Sequence, residues 1–152
     1  MEEITDYGKQ TGGRTVNEAE DVISKGHPPI ADKVVLVDFD GTLYPFGYLF
    51  DWPPPIKGAA GFLKFLHSQG YKITIFTSRL SKTWLKSVNQ TAAEHIKYIK
   101  DICKRDGISI AGITSEKIPC EFMIDDKAVP FFGNWDNTLI WYASKFRRND
   151  AT

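Results

Sequence analysis

Aspartates are the residues on which chemistry would turn in this chain. Asp38 and Asp40 alternate around Phe39 and run into Gly41 and Thr42. A second pair, Asp125 and Asp126, stands far downstream, and Thr77 lies between. Four carboxyl groups brought to one spot repel one another and raise each other's pKa. A divalent cation relieves that repulsion, and oxygen-only donors favour a hard ion such as Mg2+. A magnesium–carboxylate centre suits a phosphoryl group, because the metal neutralises charge on the transferred oxygens. Lys117, just ahead of the second pair, adds an ammonium within reach of the same phosphate. A lone aspartate at a strand end is ordinarily a cap or turn residue. Two such pairs at two strand ends are not explained that way.

The flanking sequence supplies elements that would bring these residues together. Val34-Val35-Leu36-Val37 is a continuous apolar β-branched run, as expected of a strand buried on both faces, and it ends at Asp38. A helix is expected from about Ile56 to Gln69, with Ala59, Phe62, Leu63 and Leu66 on one face and Gly70 as its C-terminal glycine. Lys72 to Phe76 reads as a second strand, ending in Thr77-Ser78-Arg79. From about Lys82 to Arg105, Leu85, Val88, Ala92, Ile96, Ile99 and Cys103 step by three and four, which predicts one long helix stopped by Gly107. Ile108 to Ile113 and Glu121 to Ile124 read as further strands, and Asn137 to Phe146 as a closing helix. Strands alternating with helices argue for an α/β fold with a parallel sheet and helices on both faces, in which ligands sit outside the carboxyl ends of the strands.

At these residues a family resemblance emerges. Asp38-Phe39-Asp40-Gly41-Thr42-Leu43 resembles the first motif of the haloacid dehalogenase-like (HAD) superfamily of phosphotransferases. Ile75-Phe76-Thr77-Ser78-Arg79 is similar to its second motif, a strand ending in Ser or Thr. Lys117 fits the third, with Lys127 a rival whose place after the aspartates fits less well. Met123-Ile124-Asp125-Asp126 resembles the fourth. The motifs occur in the family's order over about residues 33–130. The resemblance implies a Rossmann-like three-layer α/β/α domain with a mainly parallel sheet. It implies that Asp38 is the nucleophile, forming an aspartyl-phosphate, and also a Mg2+ ligand. Asp40 would protonate the leaving alcohol and then activate water, its backbone carbonyl being a further metal ligand. Thr77 would hydrogen-bond the phosphoryl oxygens, and Lys117 would steady the phosphate and Asp38. Asp125 would ligate Mg2+, with Asp126 acting through a metal-bound water. Gly41, Thr42, Ser78 and Arg79 complete the implied substrate side, Arg79 reading equally as a contact to a second phosphate or the leaving group, or as a surface ion pair. Dehalogenating members lack Asp40 and ion-pumping ATPases carry threonine there, so its presence points to phosphate monoester hydrolysis or transfer to another acceptor.

The stretches 43–76 and 78–116 are too short to hold the cap domain that family members often insert there, so a capless, open site is expected. Tyr44, Phe46, Tyr48, Phe50 and Trp52 alternate along the region that forms a flap in the family. An extended form would set them on one side, either stacking on a base or sugar or packing on the sheet. With 152 residues the chain suits one domain, 33–152, preceded by an arm, 1–32, in which Val16 to Ser24 could form a short helix. The 19 basic and 19 acidic side chains cancel and give no general field for nucleic acid. Lys82, Lys86, Lys97, Lys100 and Lys104 read as a solvated helix face, His67 and His95 as surface helix positions, and Cys103 and Cys120 as idle thiols. There is neither a signal peptide pattern nor an apolar run of membrane-spanning length, and a cytoplasmic location is expected. The substrate expected is a small phosphorylated metabolite or nucleotide, with room for an oligomer partner over the open site. A nucleic-acid end-processing phosphatase and a non-catalytic binding module on the same fold remain the alternatives.

Overall fold

The computed structural model describes residues 33–146. The expected arm, with its short helix, lies outside the described residues. Four strands, β1 (Val34–Asp38), β2 (Lys72–Phe76), β3 (Gly112–Thr114) and β4 (Phe122–Ile124), form one sheet in the order β3-β2-β1-β4. Every pairing is parallel, and Val37 faces Ile75 on one side and Ile124 on the other. The helices are α1 (Ala59–Ser68), α2 (Lys82–Val88), α3 (Ala92–Arg105) and α4 (Trp135–Phe146). The all-parallel sheet with its crossover helices is the Rossmann-like α/β arrangement expected from the sequence.

Both connections, β1 to β2 and β2 to β3, step toward the same sheet edge. Right-handed crossovers then place α1 and α3 over the same face. Their buried residues agree: Leu63 and Leu66 of α1 and Ile99, Ile102 and Cys103 of α3 share one core with Val35, Val37, Ile73 and Ile75. Leu36, which points to the other face, is equally inaccessible. No helix among the described residues is long and apolar enough to cross a membrane.

The predicted long helix is two helices. Asn89 adopts the left-handed conformation that ends α2 (φ 52°), and Thr91 restarts the chain as α3. Thr91 and Glu94 form a reciprocal capping box, the Glu94 carboxylate accepting from the Thr91 N–H at 2.7 Å. The apolar stripe runs through both helices, so periodicity alone hides the break. The first helix starts later than expected, at Ala59, because Pro53-Pro54-Pro55 precedes it and Gly58 enters with φ 87°. Phe62, expected on its inner face, is about half exposed. Gly70 does close that helix, with φ 85° and its N–H donating to the His67 carbonyl. The third strand is shorter than expected and begins only at Gly112, because Ile108 is drawn into the core at the end of α3. The closing helix begins two residues early, where the Asn134 carboxamide oxygen accepts the N–H groups of Asp136 and Asn137.

His95, expected at the surface, is fully buried, whereas His67 is exposed as expected. The His95 ring stacks on Phe50 at 6.0 Å, and neither of its nitrogens has a hydrogen-bond partner among the described residues. Burial, and then the Arg79 charge, hold its pKa below the usual 6.5. The folded protein therefore binds this proton more weakly than the unfolded chain, and stability falls as pH drops below 6.5. Chemical denaturation as a function of pH should show this loss, and the His95→Leu variant should lack His95's share of it. An unchanged acid dependence in that variant would assign the loss to other groups.

Candidate active site

The site is built at the carboxyl ends of adjacent strands. Asp38 is the last residue of β1 and stands beside Phe76 of β2, while Asp125 and Asp126 follow β4 on the other side. Carboxylate oxygens of Asp38, Asp125 and Asp126 lie within 4.8 Å of one another. A cavity of about 390 Å³ opens here, lined by Asp38, Asp40, Thr77, Ser78, Asp125 and Lys127 among others.

The turn after β1 follows from its residues. Phe39 continues the inward parity of Val35 and Val37 and is fully buried, packing on Tyr44 and Trp52 at 5.0 Å each. The Phe39 carbonyl accepts the N–H groups of Leu43 and Tyr44, and the Gly41 N–H donates back to the Tyr44 carbonyl at 2.7 Å. Gly41 is required twice over: its φ is +83°, and a Cβ there would come within 2.8 Å of an Asp126 carboxylate oxygen. Thr42 ties the two strand ends together. Its hydroxyl lies 3.0 Å from Asp38 Oδ2 and 3.1 Å from Asp126 Oδ1, and it accepts the Asp126 N–H at 3.0 Å. One hydroxyl proton cannot serve both carboxylates, which leaves charge uncompensated between them.

The surroundings of Asp38 disfavour its ionised form. Burial above all, with the nearby Asp125 carboxylate adding to it and the Thr42 hydrogen bond opposing, pushes its pKa from 3.8 up to about 6. Three crowded carboxylates, with oxygen donors only and a strained ionised form, fit a hard divalent cation, and Asp38, Asp125 and Asp126 are the side chains that would hold Mg2+.

The other expected residues divide. Thr77 is buried and lines the cavity, its hydroxyl oxygen accepting the Arg79 N–H at 3.1 Å. Ser78 is exposed and also lines it. Asp40 lines the cavity, but its carboxylate is outside the three-carboxylate cluster: both its oxygens are gripped by Arg79, at 2.7 and 2.6 Å. Arg79 forms an ion pair, but a buried one, only 1% exposed. Lys117 is exposed and outside the cavity lining, where Lys127 stands instead, its ammonium 5.6 Å from the Phe46 ring centroid. The flap aromatics do not share one side. Tyr44 and Trp52 are core residues, whereas Phe46 is 70% exposed and lines the cavity. Phe76 of β2 also lines the cavity, and Ser81 and Trp84 of the α2 N-terminus and Ser115 after β3 complete the lining. Nothing in the local pattern of these last three marks them; they follow the carboxyl ends of β2 and β3, which parallel pairing sets on one side of the end of β1.

No protein-family model matches the chain, and no curated protein matches it. Among solved structures, a conserved protein from Bacteroides thetaiotaomicron aligns with 76% of this chain and 91% of its own, at 22% identity and a TM-score of 0.46.

The raised pKa fixes the sign of a metal test. Asp38 favours folding below 3.8, and that contribution is lost as pH rises through about 6. Above that pH the site holds repelling charge that a cation neutralises. Mg2+ should therefore raise Tm by more at neutral pH than at about pH 4.5, and Asp38→Asn should remove most of the difference. Equal stabilisation at both pH values in the parent protein would argue against a carboxylate metal centre. Gly41→Ala should lower Tm and weaken the Mg2+ response together, as read by the same melts.

Proposed function

We propose that this protein is a Mg2+-dependent phosphate monoester hydrolase of the HAD type, working through an aspartyl-phosphate on Asp38. The observation that carries the reading is the meeting of Asp38, Asp125 and Asp126 within 4.8 Å at the ends of two adjacent parallel strands. The cavity beside them adds a buried threonine hydroxyl, an ammonium and a further aspartate.

Each residue then has a task. An Asp38 oxygen attacks phosphorus, forming a P–O bond as the bond to the leaving alcohol breaks. For this step Asp40 must carry a proton on a lone pair that Arg79 leaves free; it passes that proton to the departing oxygen and then takes one from the water that attacks the aspartyl-phosphate, so that inorganic phosphate leaves and both Asp38 and protonated Asp40 are regenerated. Thr77 can donate to a phosphoryl oxygen, because its own oxygen already accepts from Arg79 and its proton is unassigned. Lys127, rather than Lys117, is the ammonium positioned at the cavity wall. When bound, Mg2+ would neutralise charge on the phosphoryl oxygens and allow Asp38 to stay ionised beside Asp125.

The cavity walls suggest the leaving group. Phe46, Phe76 and Trp84 line it, which suits a small ester with a flat apolar part, such as a nucleotide or aryl phosphate.

p-Nitrophenyl phosphate hydrolysis should require both Mg2+ and Asp38, with Asp38→Asn lowering kcat by about 1,000-fold or more. Folded, Mg2+-saturated protein inactive on aryl, alkyl and nucleotide phosphates alike would favour a binding module instead. Phe46→Ala should raise KM several-fold for an aromatic ester while leaving kcat nearly unchanged. Trp52→Ala, in contrast, should cost about 3–5 kcal/mol of stability as a core truncation, measured by denaturant unfolding.

A further inference from the structure

Arg79 is the largest fully buried side chain among the described residues. Its guanidinium has five N–H donors, and four have acceptors. Nε donates to Asp40 Oδ2 at 2.7 Å and Nη2 to Asp40 Oδ1 at 2.6 Å. Nη2 also donates to the Tyr48 carbonyl, and Nη1 to the Leu49 carbonyl at 3.0 Å. Two indoles flank the cation, Trp52 at 4.7 Å and Trp84 at 5.1 Å, with Phe39 at 5.7 Å. One planar group thus binds a carboxylate that lines the cavity and two consecutive carbonyls of the flap. The Arg79 backbone N–H also orients the Thr77 hydroxyl.

Burying a charge of this kind is costly, and the cost is offset here by the ion pair with Asp40 and the hydrogen bonds to the two carbonyls. The fork sets the rotation of the Asp40 carboxylate, and the carbonyl contacts set the position of residues 48–49 relative to it. We infer that Arg79 is a positioning residue that aims Asp40 at the leaving-group oxygen and locks the flap to it, so that leaving-group chemistry and the cavity's flap wall depend on one guanidinium. This rests on the phosphatase reading above. Arg79 itself does not touch substrate, and lysine cannot replace it, since a point charge with three donors cannot grip both carboxylate oxygens and both carbonyls in one plane.

The test is kcat/KM for two esters, in the parent protein, Arg79→Lys, Asp40→Asn and the double variant. An alkyl phosphate needs its leaving oxygen protonated, whereas p-nitrophenolate departs unaided. Arg79→Lys should lower kcat/KM for the alkyl ester by about 100-fold, and for p-nitrophenyl phosphate by less than about 10-fold. In the Asp40→Asn background, Arg79→Lys should change the alkyl value by less than about threefold, because the two act as one unit. Equal losses on both esters, or an undiminished loss in the Asp40→Asn background, would make Arg79 a structural residue only and overturn the inference. A parent protein inactive on both esters would instead overturn the phosphatase reading and this inference with it. Should Arg79→Lys fail to fold, NMR of the Arg79 Nε–H decides: it should exchange slowly in the parent protein and quickly in Asp40→Asn, and fast exchange in the parent overturns the fork.

Discussion

Parallel pairing of β1 with β2 on one side and β4 on the other is the constraint from which the site follows. Parallel strands end at the same edge, so whatever follows each of them is delivered to one place. Here that means Asp38 from β1, Thr77 from β2, and Asp125 and Asp126 from β4. The repulsion among the carboxylates is a consequence of this register. The Thr42 hydroxyl opposes it locally, and by accepting the Asp126 N–H it also binds the two strand ends into one unit. A fold without a chemical use for crowded acids would be more stable with fewer of them.

Behind the carboxylates the protein carries a second polar layer. Arg79 and Arg105 hold the middle and the far end of the 44–53 segment, Arg79 through the Tyr48 and Leu49 carbonyls and Arg105 through those of Trp52 and Pro53. Tyr44 donates to Asp106 at 2.7 Å, and burial above all, together with that carboxylate, raises its phenol pKa. Backbone carbonyls of an irregular segment need donors, and arginine side chains supply them where no neighbouring strand can. The aromatic residues of the segment divide by depth: Tyr44 and Trp52 close the core, and Phe46 and Tyr48 remain at the surface. The flap is thereby attached to the same residues that shape the cavity.

The sequence contains one signal for the helix break that periodicity misses. Thr91 and Glu94 have capping-box spacing, and Asn89 is a residue that tolerates the left-handed turn before it. Read together they place the boundary between α2 and α3. His95 is the opposite case. An imidazole on a lysine-rich helix reads as exposed, and only the packing of α3 against Phe50 reveals that its position faces inward.

The strands, their order along the chain and the acidic strand ends were legible in the sequence, because apolar runs and the Asp-Phe-Asp-Gly-Thr turn are local patterns with local physical causes. The aspartates' convergence could be inferred from topology rules alone. The presence of Lys127 rather than Lys117 at the cavity wall, the burial of Arg79 against Asp40 and the split of the flap aromatics could not. Each depends on which groups compete for the same space and the same donors across 30 or more residues of chain. Sequence spacing records neighbours along the chain, and those competitions are decided only when distant segments close on one another.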